Sequence, residues 1–166
     1  GGKAPVVVFA DADLAAAAEA IAIAGYFNAG QDCTAATRVI VQDSVYDQFV
    51  ALITEQAKQI AIGAPADEDV FLGPVNNANQ LARIEDLLSR VPAHAQVMTG
   101  GSALDRPGFF FPATVVAGLH QSDELIQKEI FGPVITVQKF TDEAQAVAMA
   151  NGVEFGLASS VWTTNH

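Results

Sequence analysis

Apolar positions along the chain fall into two alternating registers. Pro5-Val6-Val7-Val8-Phe9 is continuous, apolar and β-branched, the pattern of a strand buried on both faces. Leu14, Ala17, Ala18 and Ile21 then recur at i, i+3, i+4 and i+7, one apolar helix face, with Asp11 or Asp13 placed to accept its orphan N–H groups. That helix should end between Gly25 and Gly30. Val39-Ile40-Val41 is a second short apolar run, and Ser44 opens a segment whose Val45, Phe49, Leu52, Ile53 and Ile60 return to helical spacing.

Residues 63–77 lose this period and carry Gly63, Pro65, Gly73 and Pro74, which predicts a long surface loop rather than a domain boundary. Leu81, Ile84 and Leu88 mark a third helix that Pro92 stops, and Gln96-Val97-Met98-Thr99 reads as a strand ending at the Gly100-Gly101 turn. Weaker strands are expected near 114–116 and over 134–140. Thr141 is the expected N-cap of a helix running to about Asn151, and residues 159–163 close as a last strand. Strands separated by helices predict the α/β class, with a mainly parallel sheet covered on both faces in three layers, because a parallel crossover needs a dozen or more residues. Gly-Pro-Val occurs at Gly73 and at Gly132, but the flanks differ and no internal repeat follows.

The chain has 166 residues, 51% hydrophobic and 16% charged, which suits one packed domain. Eight basic against nineteen acidic residues leave a formal charge of −11, so a phosphate-binding surface for nucleic acid is not expected. No apolar run approaches the ~20 residues that cross a bilayer, and the N-terminal residues lack a signal-peptide plan. A cytoplasmic location is the expectation. With Cys33 as the single cysteine, neither a disulfide nor a thiolate metal cage can form within the chain.

Cys33 lies in Gly30-Gln31-Asp32-Cys33-Thr34, a polar connection between a helix and a strand where functional groups are often displayed. It reads either as a nucleophile or as a small buried apolar residue. Adjacent Asp32 and a preceding helix C-terminus both oppose a thiolate, so activation has to come from elsewhere. A cysteine-dependent hydrolase or acyltransferase would need a histidine base, and His94, His120 and His166 all sit in polar turns or at the terminus. Nucleophile-elbow, zinc-binding and Gly-rich phosphate motifs are missing from the sequence. Glu129 and Phe131 place a carboxylate and a ring two residues apart just before a strand, a pair suited either to ribose hydroxyls and a flat heterocycle or to a solvated acid beside a core aromatic. A non-catalytic interaction module is a third reading of the chain.

Taken in order, Gly1-Gly2-Lys3-Ala4-Pro5, Phe27-Asn28-Ala29-Gly30-Gln31-Asp32-Cys33, Glu129-Ile130-Phe131-Gly132-Pro133-Val134 and Asn151 with Gly156-Leu157-Ala158 resemble the aldehyde dehydrogenase superfamily across the whole chain. The resemblance implies that residues 1–166 form a catalytic domain. Cys33 would attack the aldehyde, Glu129 would bind the nicotinamide ribose and Phe131 would pack beside the nicotinamide ring of NAD, with NADP an open alternative. The family's water-activating glutamate belongs to Glu-Leu-Gly-Gly-Lys and would precede Gly1 by two residues, while its oxyanion asparagine and dinucleotide-binding domain lie further upstream. The 166 residues alone are therefore expected to fold without oxidising aldehydes, and the parent protein to be a homodimer or homotetramer.

Residues 25–36 are most similar to the aminoaldehyde branch, including 4-aminobutanal dehydrogenases, which makes Phe27 and Asp32 candidate substrate contacts. An acid beside the nucleophile attracts a substrate ammonium by an amount on the order of 1 to 4 kcal/mol at ~4 Å, depending on solvation.

Overall fold

The computed structural model describes residues 1–165. Six strands form one sheet: β1 (Pro5–Val8), β2 (Arg38–Gln42), β3 (Gln96–Thr99), β4 (Thr114–Ala117), β5 (Val134–Phe140) and β6 (Ser160–Trp162). Their order is β3-β4-β5-β2-β1-β6, and every neighbouring pair is parallel except β3 with β4. The α/β class read from the sequence is the one observed, with an antiparallel strand added at one edge.

Alternation along each strand divides the core. Val6 and Val8 of β1 and Val39 and Val41 of β2 join a large cluster with α1 (Leu14–Tyr26), α2 (Tyr46–Gln59) and α3 (Ala78–Ser89). Val7 and Ile40 point the other way and pack with Phe140 and with Ala146 of α5 (Glu143–Ala150). One face of the sheet thus carries most of the apolar burial. A short helix, α4 (Glu124–Gln127), follows β4 and has no counterpart in the expectations from sequence. With four residues it is too short to show an apolar period.

The helix boundaries follow from capping. Asp13 caps α1 through a bond from the Ala16 N–H at 3.1 Å. At α5 the cap is Asp142 rather than Thr141: its carboxylate accepts from the Gln145 N–H at 2.8 Å, while Thr141 donates its N–H and hydroxyl to Gln145 Oε1 at 2.7 and 2.9 Å. An Asp oxygen beside the first turn also meets the positive helix end, which a hydroxyl does not exploit. Ser44 lies in a 3-10 turn over 43–45 before α2 begins. The 63–77 segment is a loop, closed at its start by a bridge between Ile62 and Leu72.

Two buried polar side chains fix how the layers meet. Tyr26, at the end of α1, donates its hydroxyl to the Thr114 carbonyl at 3.0 Å. Arg38, fully buried at the start of β2, donates to the carbonyls of Lys3, Met149 and Ala150 at 3.0, 2.9 and 2.8 Å, so one guanidinium joins the start of the chain to the C-terminal end of α5. Exposed carbonyls at a helix end favour a cation there. No described helix is long and apolar enough to cross a membrane.

Candidate active site

The four sequence motifs converge because each immediately precedes a parallel strand. Residues 1–4 lead into β1, Cys33 precedes β2, residues 129–133 lead into β5, and residues 156–159 lead into β6. All therefore meet at the amino edge of the sheet. Gly2 sits at the centre: its N–H donates to Glu129 Oε1 at 2.8 Å, and a Cβ on it would lie 1.9 Å from the Cys33 carbonyl oxygen. Only glycine permits that approach, so Cys33 and Glu129 are held against one backbone segment.

The cysteine loop is built on left-handed backbone. Asn28, Ala29 and Gly30 have φ of 51°, 56° and 68°, which turns the chain sharply after α1. Non-glycine residues in this region cost about 1 to 2 kcal/mol each. The turn is held by Asn28 Nδ2 on the Gln31 carbonyl at 2.9 Å and by Asn76 N on Gln31 Oε1 at 2.8 Å, the latter tying the 63–77 loop to the motif. At Gly30 a Cβ would fall 2.1 Å from the Gly132 carbonyl oxygen, so the two motifs are in direct backbone contact. Cys33 itself is exposed. The reading as a buried apolar thiol does not describe it.

Glu129 and Phe131 are clamped from α3. Gln80 Nε2 donates to the carbonyls of Ile130 and Phe131 at 3.0 and 2.6 Å, and Arg83 donates to the Glu129 carbonyl at 2.6 Å. These bonds hold Phe131 at φ 58°, with the residue 38% exposed. The Phe131 ring is not a core aromatic. Gln80 and Arg83 were not singled out in the sequence, although they fall three apart on the polar side of the Leu81, Ile84 and Leu88 stripe.

Asp32 and Phe27 stand differently. Asp32 Oδ1 accepts from the Thr34 hydroxyl and N–H, both at 2.7 Å, and these bonds hold its carboxyl below the usual range. Its charge is thus secured while one oxygen is spent locally. Phe27 is 60% exposed and lines an open groove with Phe71, Pro74 and Asn76 of the 63–77 loop, a groove that Cys33 does not line.

Behind the site lies Lys3, 3% exposed, whose Nζ has no hydrogen-bond partner among the described residues. Burial, with repulsion from Arg38 and against attraction from Glu129, lowers its ammonium to about 7. Two basic side chains, Lys3 and Arg38, are therefore buried beneath the segment that touches Cys33.

No described histidine is placed to serve Cys33. His94 leads into β3, whose Gln96 pairs with Ala117 at the carboxyl end of β4, and His120 follows that end. Cys33 lies at the amino edge, so a four-residue strand, roughly 10 Å long, separates the two sites. His166 lies outside the described residues.

A sequence profile of the aldehyde dehydrogenase family matches residues 1–166. The chain belongs to this family. An aldehyde dehydrogenase of Emericella nidulans is 40% identical over 166 residues, covering 99% of this chain and 33% of that protein. Lactaldehyde dehydrogenase of Escherichia coli is likewise 40% identical, and its crystal structure superposes with a TM-score of 0.96 over 99% of this chain and 35% of that one. Betaine aldehyde dehydrogenase of Staphylococcus aureus, solved in complex with NAD+, gives a TM-score of 0.95 at 36% identity over 99% of this chain and 34% of that one. This aldehyde dehydrogenase chain thus spans about a third of the length of these relatives.

Proposed function

We propose that the protein carrying this chain oxidises an aldehyde to its carboxylate with NAD(P)+, using Cys33 as nucleophile. The reading rests on one observation: Gly2 binds the Glu129 carboxylate through its N–H while its α-carbon lies against the Cys33 carbonyl, so the Cys33 backbone and the Glu129 carboxylate meet at one edge of the sheet. Cys33 Sγ adds as thiolate to the aldehyde carbon, forming a C–S bond and leaving the charge on oxygen, where the Cys33 N–H helps to hold it. The nicotinamide cofactor, when bound, accepts the hydride that leaves this carbon with its electron pair. Water then adds to the thioester left on Cys33, the C–S bond breaks, and the carboxylate departs as the thiol is restored.

Glu129 has its second carboxylate oxygen for a ribose hydroxyl, and Phe131, an exposed aromatic residue, stands two residues on. An acceptor and a flat apolar surface fit a nicotinamide nucleoside. NAD is favoured by the NAD+ complex of the S. aureus relative. As the chain is a third of its relatives' length, we assign it the nucleophile and part of the cofactor site, with no turnover on its own. Its acidic composition and single unpaired thiol suit a reducing cytoplasm.

For the substrate we favour an aldehyde bearing an amine. Asp32 stays ionised beside the nucleophile, and betaine aldehyde, named for one set of relatives, is itself a cation. Lactaldehyde dehydrogenase, at 40% identity against 36% for the betaine aldehyde dehydrogenases, is named for an uncharged substrate, so the choice is made by experiment. In the whole protein, Cys33→Ala should abolish aldehyde-dependent NADH formation, and Asp32→Asn should raise KM for 4-aminobutanal far more than for an alkyl aldehyde of similar length. Activity retained without Cys33 would overturn the mechanism. Equal effects of Asp32→Asn on the two substrates would remove the acid from recognition.

A further inference from the structure

At the carboxyl edge, on the side of the sheet away from Cys33, two loops bring together three metal-ligating side chains that the proposed chemistry does not use. His94 Nε2 lies 2.8 Å from Asp123 Oδ2, and the His94 and His120 rings stack with centroids 3.9 Å apart and planes at 10°. One ligand atom from each of His94, His120 and Asp123 falls within 4.8 Å of the others. We propose that these three residues bind one divalent transition-metal ion of the Zn2+ class.

The donor set selects the ion. Two imidazoles and one carboxylate suit Zn2+, Ni2+ or Cu2+, whereas Mg2+ and Ca2+ favour sites built from oxygen alone. Two of the ligands are prepositioned by their turn: the His120 N–H donates to Asp123 Oδ2 at 2.6 Å, and the Asp123 N–H donates to the His120 carbonyl at 3.1 Å. The third is delivered by the register that sets Gln96 opposite Ala117.

A second observation places polar capacity in the same space. The histidines line a cavity of about 480 Å³ whose wall also includes the amide side chains Gln121, Gln138 and Gln145. Among the described residues lining the cavity, Lys139 is the one Lys or Arg, and it is itself exposed. Ligands on one ion sit about 3 to 3.6 Å apart, so the rings must unstack and rotate about their side-chain torsions, a change available to exposed imidazoles.

The test uses a Cys33→Ser background, so that the thiol cannot supply a ligand, and titrates ZnCl2 calorimetrically at pH 7.5. One equivalent should bind, Co2+ in its place should give a visible absorption band, and affinity should fall at least about tenfold in His94→Asn and in His120→Asn. Excess EDTA should release the ion. Circular dichroism confirms that each variant is folded, and His94→Asn, altering an exposed ring, keeps the test valid if a change at Asp123 disturbs its turn. No saturable one-to-one binding, or undiminished binding in both histidine variants, would overturn the site.

Discussion

Replacing Lys3 with Met should stabilise the chain by an amount that depends on pH in one direction. The unfolded chain protonates Lys3 with the ordinary value of 10.5, while the folded chain does so at about 7, because burial and Arg38 disfavour the ammonium. Between these two pH values the unfolded state holds a proton that the folded state has released, so stability rises with pH across that window. At pH 7 the burial of this amine costs roughly 4 kcal/mol, and by pH 10 less than about 1 kcal/mol. Met fills a similar volume without a charge. Urea unfolding of parent and variant at pH 7, 8.5 and 10 isolates Lys3, since every other titrating group is common to both. The Lys3→Met gain should be largest at pH 7 and fade by pH 10. A constant difference, or a variant less stable at pH 7, would refute the reasoning and require a partner for Lys3 Nζ.

Three further outcomes follow from single contacts. In the whole protein, Gly2→Ala forces a Cβ to within 1.9 Å of the Cys33 carbonyl and should lower turnover by about 100-fold, measured as NADH formation with the fold checked by circular dichroism. Gln80→Ala removes the bonds that hold Ile130 and Phe131, so KM for NAD+ should rise by about tenfold while Cys33 alkylation by iodoacetamide is unchanged. Tyr26→Phe strips a buried hydroxyl from the Thr114 carbonyl and should cost about 1 to 2 kcal/mol in urea unfolding of the 166-residue chain.

Elements carried by periodicity were legible in the sequence. The 5–9 run, the Leu14 to Ile21 stripe and the 134–140 run appear as β1, α1 and β5 because burial on a sheet or helix face writes itself into the order of apolar residues. Capping was less legible: Thr141 and Asp142 are adjacent candidates, and only the backbone geometry decides that the second caps α5. The site divides the same way. Cys33, Glu129 and Phe131 stand in dense motifs, whereas Gln80 and Arg83 act through single bonds to carbonyls across 46 to 51 residues of chain, which leave no local pattern. Nor does composition reveal that Gly2 is the residue against which the Cys33 main chain and the Glu129 carboxylate meet.

Why the chemistry gathers at the amino edge is itself explained by these contacts. In open parallel sheets the carboxyl ends, where loops diverge, are the usual place for a ligand. Loops approaching the amino ends must instead turn inward tightly enough to bring side chains over the edge. Here Asn28, Ala29 and Gly30 make that turn before β2 and Phe131 makes it before β5, each in left-handed backbone. Gly30 against Gly132 and Gly2 against Cys33 then let the turning segments touch through their main chains. Strain concentrated in two loops and relieved by cross-bonds from α3 and Asn76 is the arrangement expected of a preorganised site, in which the cost is met by the surrounding fold rather than by the ligand. The carboxyl edge is left to a separate set of side chains, His94, His120 and Asp123, that can bind an ion without disturbing Cys33.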